Sequence, residues 1–351
     1  MGGTLPTIAP ETLAEALEAA AGRGAELVFH GSDRPVRLPA STLLNEARRG
    51  AGALSALGLN RGEAVGILGP NRPEWARWAF ATWLAGGVVV PLPYHLRNAD
   101  RAASAHSLGS LLRAAGCRVA LADPGLIGLL PPGSAIGWTI DLPARPGALA
   151  APRPTDRAVV QFTSGSTATP KGVVLSHRAV LAGIRNPASD SGLEEHDRVQ
   201  LSWLPFFHDW GLFGYLVWSI VMATETHILP TERFAKDPSE WLRLAGRVRA
   251  LMTPGPSSAW DAALRTASRR PHGIDLSTLR VCTLAAEAIE PRVLDRLLEL
   301  GGELGLAPDA PNGAYGLAEA TLAVTVGPAQ ERIRVDTVDR SAVASTGVAA
   351  S

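Results

Sequence analysis

Apolar positions recur at helical spacing near Glu11 to Ala21, Ser41 to Leu57, Pro73 to Ala85 and Ala103 to Ala115. Between them lie short β-rich runs at Ala64 to Leu68, Val88 to Pro91 and Val119 to Ala122. This is the rhythm of βαβ units, and it predicts a largely parallel sheet covered by helices. The rhythm breaks between Pro131 and Pro154, a stretch rich in Pro, Gly and Ala that reads as a surface connection and a lobe boundary. A second series opens at Ala158 with the strand VVQF. It continues through strands near Val199 to Trp203, His227 to Leu229, Ala250 to Thr253 and Leu279 to Leu284. The expected architecture is α/β: two α/β lobes with mostly parallel sheets flanked by helices, the first over 1–153 and the second over 154–351. From Ala344 to Ser351 the residues are small and show no clear helical or strand pattern.

Composition narrows the picture only a little. A chain of 351 residues, 46% of them hydrophobic, can bury a large core and exceeds a typical single domain. Its 33 basic and 33 acidic residues cancel, so no net field draws it to nucleic acid or to an anionic membrane. A bound anion must then be held by local geometry. Only Lys171 and Lys236 are lysines, which leaves few candidates for a functional ammonium. Cys117 and Cys282 lie in apolar runs without metal-ligand spacing and read as core residues. The longest apolar run, Leu212 to Ala223, falls short of the roughly 20 residues that span a bilayer and reads as a buried helix. With no leader pattern at the N-terminus, a cytoplasmic location is expected and membrane insertion is not.

The most informative segment runs from Phe162 to Gly172 between two apolar β-runs. Thr163, Ser164, Ser166 and Thr167 surround Gly165, whose missing Cβ lets a backbone present N–H groups to an anion, and Lys171 adds a positive charge at the far end. A phosphate cradle accounts for this pattern, and an ordinary Ser/Thr-rich surface loop is the alternative. A Walker loop does not fit, because Pro170 and Gly172 stand where that motif needs Gly and Ser or Thr.

Two further strings carry candidate chemistry. In SWLPFFHDWGL (202–212) a strand ends at Pro205, and His208 and Asp209 head an apolar helix. His208 then either faces a ligand crevice at the strand end, where open α/β sheets place their sites, or is simply exposed beside a capping Asp209. In NGAYGLAEAT (312–321) Gly316 permits a tight turn, Glu319 can hold Mg²⁺ and Tyr315 can stack on a base. Alternatively Tyr315 and Leu317 are core residues and Glu319 is solvated.

Together these strings resemble the adenylate-forming superfamily of acyl-CoA synthetases, luciferases and adenylation domains, and most closely its fatty acyl-AMP ligases. TSGSTATPKGVVLSH (163–177) is similar to the superfamily's signature loop, with Ala168 where most members carry Gly. SWLPFFHDWGL and YGLAEAT take the forms typical of fatty acyl-AMP ligases. The resemblance implies the large N-terminal domain of that fold, with ATP and Mg²⁺ as cofactors. It implies that Thr163, Ser164, Gly165, Ser166, Thr167 and Lys171 hold the β- and γ-phosphates, that His208 lies at the junction of acyl pocket and nucleotide site, and that Glu319 binds the metal. Tyr315, Gly316 and Leu317 would lie at the nucleotide.

TLAAEAIEP (283–291) resembles the turn under the adenine, with Ala286 and Glu287 as contacts, although Ala288 intervenes where Pro often follows the Glu. The implied reaction turns a fatty or related carboxylic acid into its acyl-AMP. Ala323 to Val338 resembles the start of the insertion associated with transfer to an acyl carrier protein in preference to coenzyme A. An acyl-CoA ligase and a non-catalytic nucleotide- or acyl-binding module are the competing readings. The chain stops about thirty residues after the Glu319 string, and no segment resembles the family's ribose-binding aspartate, hinge or terminal lysine motifs. An incomplete large domain without the small C-terminal domain is therefore expected.

Overall fold

The computed structural model describes residues 9–32, 34–94, 101–138, 151–163, 171–189 and 199–346. Fourteen strands among them form two sheets. The smaller contains β3 (Ala64–Leu68), β4 (Val88–Leu92), β5 (Val119–Ala122), β6 (Ala135–Gly137), β7 (Arg157–Phe162) and β8 (Gly172–Ser176), in the order β6-β5-β3-β4-β7-β8. The larger contains β1 (Glu26–Phe29), β2 (Val36–Pro39), β9 (Val199–Ser202), β10 (Glu225–Ile228), β11 (Met252–Gly255), β12 (Val281–Leu284), β13 (Pro311–Gly316) and β14 (Ala323–Val326), in the order β14-β13-β12-β11-β9-β10-β1-β2. Pairing is parallel throughout except at β1–β2, β7–β8 and β13–β14, so the antiparallel strands lie at edges. AVGIL and VVVPL of β3 and β4 are buried along their whole length, as strands covered on both faces must be.

The expected βαβ rhythm is present, with element ends within a few residues of those read from the pattern. Sheet membership, however, does not follow the 153/154 boundary. β1 and β2 cross to the larger sheet, and β7 and β8 complete the smaller one. The β1–β2 ribbon is four residues a strand and escapes a periodicity reading; its identity is fixed by pairing with β10, about two hundred positions away. β6 lies inside the stretch read as a surface connection. A helix at Arg340–Thr346 overlaps the small-residue tail, where alanine favours helix without supplying an apolar stripe.

Three apolar clusters stack through the molecule. The central one joins Val65, Ile67 and Val159 of the smaller sheet to Leu27, Phe29 and Ile228 of the larger. The helices Leu13–Ala21, Ala40–Ala56 and Pro73–Leu84 contribute to it from between the sheets. Outside the larger sheet, Trp241 and Trp260 anchor a second cluster, and outside the smaller sheet Leu108, Leu111 and Leu112 anchor a third. Cys282 is buried in the second and Cys117 packs against the third; burial pushes the Cys117 thiol up to about 12 and the Cys282 thiol well above its ordinary value. No helix among the described residues is long and apolar enough to cross a membrane. The run from Leu212 is helical and buried, but its first six residues, Leu212–Val217, form a π-helical turn before the α-helix Trp218–Val221.

Candidate active site

The candidate groups follow the C-terminal ends of β7 in the smaller sheet and of β9, β12 and β13 in the larger, where backbone turns away and leaves a crevice. In the smaller sheet β7 ends at Phe162, which pairs with Gly172 of β8, and the Thr163 N–H donates to the Lys171 carbonyl at 3.4 Å. The loop proposed from sequence as a phosphate cradle is thus closed at its base by an antiparallel ladder. Lys171 is exposed at that base. Ser164, Gly165, Ser166 and Thr167 lie outside the described residues, as does Ala168.

β9 leads into the turn 203–208. The His208 N–H donates to the Pro205 carbonyl at 3.0 Å, and the short helix Asp209–Gly211 starts immediately afterwards. Gly211 is required by close approach: a Cβ there would stand 2.2 Å from the Pro205 carbonyl oxygen. His208 Nδ1 lies 2.7 Å from Asp209 Oδ1, which also accepts the Trp210 N–H at 2.6 Å. His208 is itself the N-cap of that short helix, its Nδ1 accepting the Trp210 N–H at 3.3 Å, and its imidazole is half-exposed. The residue in the capping position is His208, with Asp209 the first residue of the helix, and His208 lies in the turn that follows β9.

The turn 317–322 is fixed by its own backbone and by two neighbours. The Leu317 N–H donates to the Leu322 carbonyl at 3.0 Å, and a Cβ on Gly316 would stand 1.9 Å from that same oxygen. Thr321 Oγ1 donates to the Ala179 carbonyl at 3.2 Å on the helix that follows β8, and its Cβ fills the space above Gly183. Leu322 reaches the helix after His208, where it would meet a Cβ on Gly214 at 3.4 Å. The Glu319 turn therefore lies between the helix following the Lys171 hairpin and the helix following His208. Glu319 is exposed in the 3-10 turn Ala318–Ala320, and its carboxylate takes no hydrogen bond or ion pair among the described residues. Tyr315 is 61% exposed, so the ring is open to a planar ligand and is not a core residue. Leu317 is half-buried beside the exposed Gly316.

After β12, Ala286 adopts φ +68°, a left-handed conformation that strains a residue with a Cβ. The next side chain turns away to a structural task. Glu287 Oε1 accepts the Ser258 N–H at 2.5 Å and its Oε2 accepts the Ser258 hydroxyl at 3.2 Å, capping the helix Ser257–Ala267, whose N-cap Pro256 has no side-chain hydrogen bond of its own. That leaves the Ala286–Glu287 backbone as the part of this turn available to a base.

A family model described as AMP-binding enzyme matches residues 17–349. The chain belongs to that family. A provisionally named acyl-CoA synthetase of Caulobacter vibrioides is 32% identical over 340 residues, covering 93% of this chain and 59% of that protein. JamA of Moorena producens, a medium-chain-fatty-acid–[acyl-carrier-protein] ligase, is 32% identical over 187 residues, covering 53% of this chain and 31% of that one. A solved structure from structural and functional studies of fatty acyl-adenylate ligases of E. coli and L. pneumophila superposes with a TM-score of 0.89 at 30% identity, covering 95% of this chain and 62% of that one. The chain thus spans about three-fifths of the length of the first curated relatives it matches.

Two further residues bond to the His208 turn without having been singled out from sequence. Asn71, just beyond β3, and Gln161, in β7, each bond to the backbone of the His208 turn. Gln161 left a trace in the sequence: a single amide in the otherwise apolar strand VVQF must find a buried partner. Asn71 left none, because its partners are 133 and 135 residues away. Tyr94, beyond β4, donates to Glu232 at 2.6 Å and meets the Phe207 ring edge-on at 5.5 Å. Burial, together with that bond to Glu232, pushes its phenol far above the ordinary range and keeps it a donor.

Among the described residues no three metal-ligating side chains cluster. Mg²⁺ takes one or two protein carboxylates and completes its shell with phosphate oxygens and water, and the exposed Glu319 carboxylate is the group here that could serve as one.

Proposed function

We propose that this chain carries the ATP-binding portion of an enzyme that activates a fatty or related carboxylic acid as its acyl-AMP. The observation that supports this most is the docking of the Glu319 turn against the helix after the Lys171 hairpin on one side and the helix after His208 on the other. In the proposed reaction a carboxylate oxygen of the acid attacks the α-phosphorus of ATP, the bond to the β-phosphate bridging oxygen breaks, and pyrophosphate leaves. No protein nucleophile is needed; the task is alignment of two anions and neutralisation of their charge. Thr163, Ser164, Gly165, Ser166, Thr167 and Lys171 hold the β- and γ-phosphates. Glu319 would hold Mg²⁺, which would supply charge neutralisation on the phosphates. His208 Nε2 faces the acyl-adenylate junction. Tyr315, Gly316, Leu317 and the Ala286–Glu287 backbone take the adenine and its surroundings.

An acyl carrier protein is the proposed acceptor, on the strength of the relationship to JamA and of the segment Ala323 to Val338. The Caulobacter relative favours coenzyme A as the alternative. ATP and carrier protein together fit a cytoplasmic enzyme. We further propose that the lobes seen in sequence, 1–153 and 154–351, are units of covalent order that interlace in space.

The test is calorimetric titration with dodecanoyl sulfamoyl-adenosine, a stable acyl-adenylate mimic, and in parallel with ATP and Mg²⁺. Wild type, Lys171→Ala and Glu319→Ala should all bind the mimic, which lacks β- and γ-phosphates, while the two variants lose affinity for ATP with Mg²⁺ by roughly 10-fold or more, as loss of a charge-assisted contact implies. Failure of the folded wild-type chain to bind either ligand would sink the reading.

A further inference from the structure

The turn that carries His208 is gripped by side chains from the other sheet. Asn71 Nδ2 donates to the Leu204 carbonyl at 2.7 Å, and Asn71 Oδ1 accepts the Phe206 N–H at 2.9 Å. Gln161 Nε2 donates to the Phe207 carbonyl at 2.9 Å. Both amides are 3% exposed. Beyond the end of β9 these two side chains satisfy the Leu204 and Phe207 carbonyls and the Phe206 N–H, while the Leu204 N–H donates to Ser202 Oγ at 3.1 Å and the Pro205 carbonyl accepts the His208 N–H. The Gln161 amide orientation is fixed, because Nε2 also faces the Phe162 carbonyl at 3.2 Å and the reversed amide would set oxygen against two carbonyls. Its Oε1 is buried and takes no partner among the described residues, among which its hydrogen bonds are those to 162 and 207.

The origin of the two grips matters more than their number. Gln161 belongs to β7, the strand that runs into Thr163 and the base of the Lys171 hairpin. One amide therefore joins the strand feeding the phosphate side to the residue preceding His208 on the acyl side. Asn71 fixes the same turn from the bend after β3, with Phe206 wedged between Trp75 at 5.4 Å and Phe29 at 6.4 Å.

We infer that Asn71 and Gln161 are positioning residues that set His208 at a fixed distance from the phosphate-binding hairpin, so that the two reacting anions are held in register across the two sheets. This rests on the acyl-adenylate reading of the site.

The test uses the full chain with Gln161→Met, which keeps length but removes the donor, and Asn71→Ala, with His208→Ala for reference. Amide hydrogen exchange reads the turn without any ligand, and calorimetry with dodecanoyl sulfamoyl-adenosine reads the site. The expected result in a chain whose melting transition is intact is exchange at Phe206 to Trp210 faster by about 10-fold or more with β3, β7 and β9 unchanged, since only the turn's own bonds are lost. Affinity for the mimic falls by about 10- to 100-fold, the scale of a misplaced contact. In the His208→Ala background, Gln161→Met costs less than about 2-fold further, because the two act through one another.

Unchanged exchange in folded variants overturns the inference whatever the ligand result. Faster exchange with undiminished mimic affinity also overturns it. Should exchange respond as expected while no form of the chain binds the mimic, the grip on the turn stands and the proposed function falls. If Asn71→Ala does not fold, Gln161→Met carries the test.

Discussion

At the scale of single residues, the site depends on positions where backbone approaches backbone. Gly211 and Gly316 would place a Cβ 2.2 Å and 1.9 Å from carbonyl oxygens, and neither oxygen can retreat, since each closes a turn. Gly211→Ala is expected to destabilise the chain by about 1–3 kcal/mol, the usual cost of overpacking, and to weaken binding of the acyl-adenylate mimic because the 205–208 turn must shift. Denaturant unfolding and calorimetry on the same preparation check both. An unchanged midpoint would show that the turn yields more readily than its hydrogen bonds imply. Glu287 makes a different residue-scale case. Its family resemblance points to adenine, yet its carboxylate caps the helix Ser257–Ala267. Glu287→Ala should therefore cost about 1 kcal/mol of stability, as loss of a cap does. Its effect on ATP affinity should stay small, and a large affinity loss at unchanged stability would return the side chain to the base.

At the scale of elements, the helix Leu13–Ala21 docks through a histidine. Thr12 and Glu15 form a capping box at its N-terminus, and the Leu13 N–H donates to His177 Nδ1 at 3.2 Å. His177 is fully buried, and burial lowers its pKa to about 4. His30 is lowered to about 4 for the same reason, aided by the neighbouring His227, with which it shares a 2.8 Å hydrogen bond. Both imidazoles are neutral in the folded chain and titrate near 6.5 when unfolded, so between these values the unfolded state binds more protons. Stability is therefore full above about pH 6.5 and declines as pH falls toward 4, by an amount on the order of 2 kcal/mol per histidine at pH 5. Melting temperature at pH 7.5 and pH 5 measures this. His177→Asn, which keeps an acceptor for Leu13 but does not titrate, should shrink the difference; an equal drop in wild type and variant would remove His177 as its source.

At the scale of the whole molecule, the two sheets share one core and exchange strands, so they should unfold together. Phe206 sits between a helix of the central layer at Trp75 and β1 at Phe29, and is 1% exposed. Phe206→Ala is expected to cost about 3–5 kcal/mol, the range for a buried aromatic truncated to alanine. A single transition is expected by far-ultraviolet dichroism and by tryptophan fluorescence in wild type and variant alike. Two separated transitions would mean that the sheets are independent units despite the crossing of β1, β2, β7 and β8.

The sequence determined by itself what depends on near neighbours: the alternation of helix and strand from Glu11 to Leu284, the burial of AVGIL and VVVPL, and a loop between two strands beginning after Phe162 and ending at Gly172. It also carried the His208 and Glu319 strings, because turn, cap and carboxylate lie within ten residues of each other there. The tertiary structure alone decided which sheet each strand joins, since β1 finds β10 only through a pairing some two hundred residues long. It decided that Asn71 and Gln161 hold the His208 turn, since an amide's partner is chosen by packing and not by spacing. It also put the Glu287 carboxylate on Ser258, a contact 29 residues away that a local string cannot encode. Periodicity and turn chemistry act over a few residues, whereas a buried hydrogen bond is selected only once two sheets have closed on it.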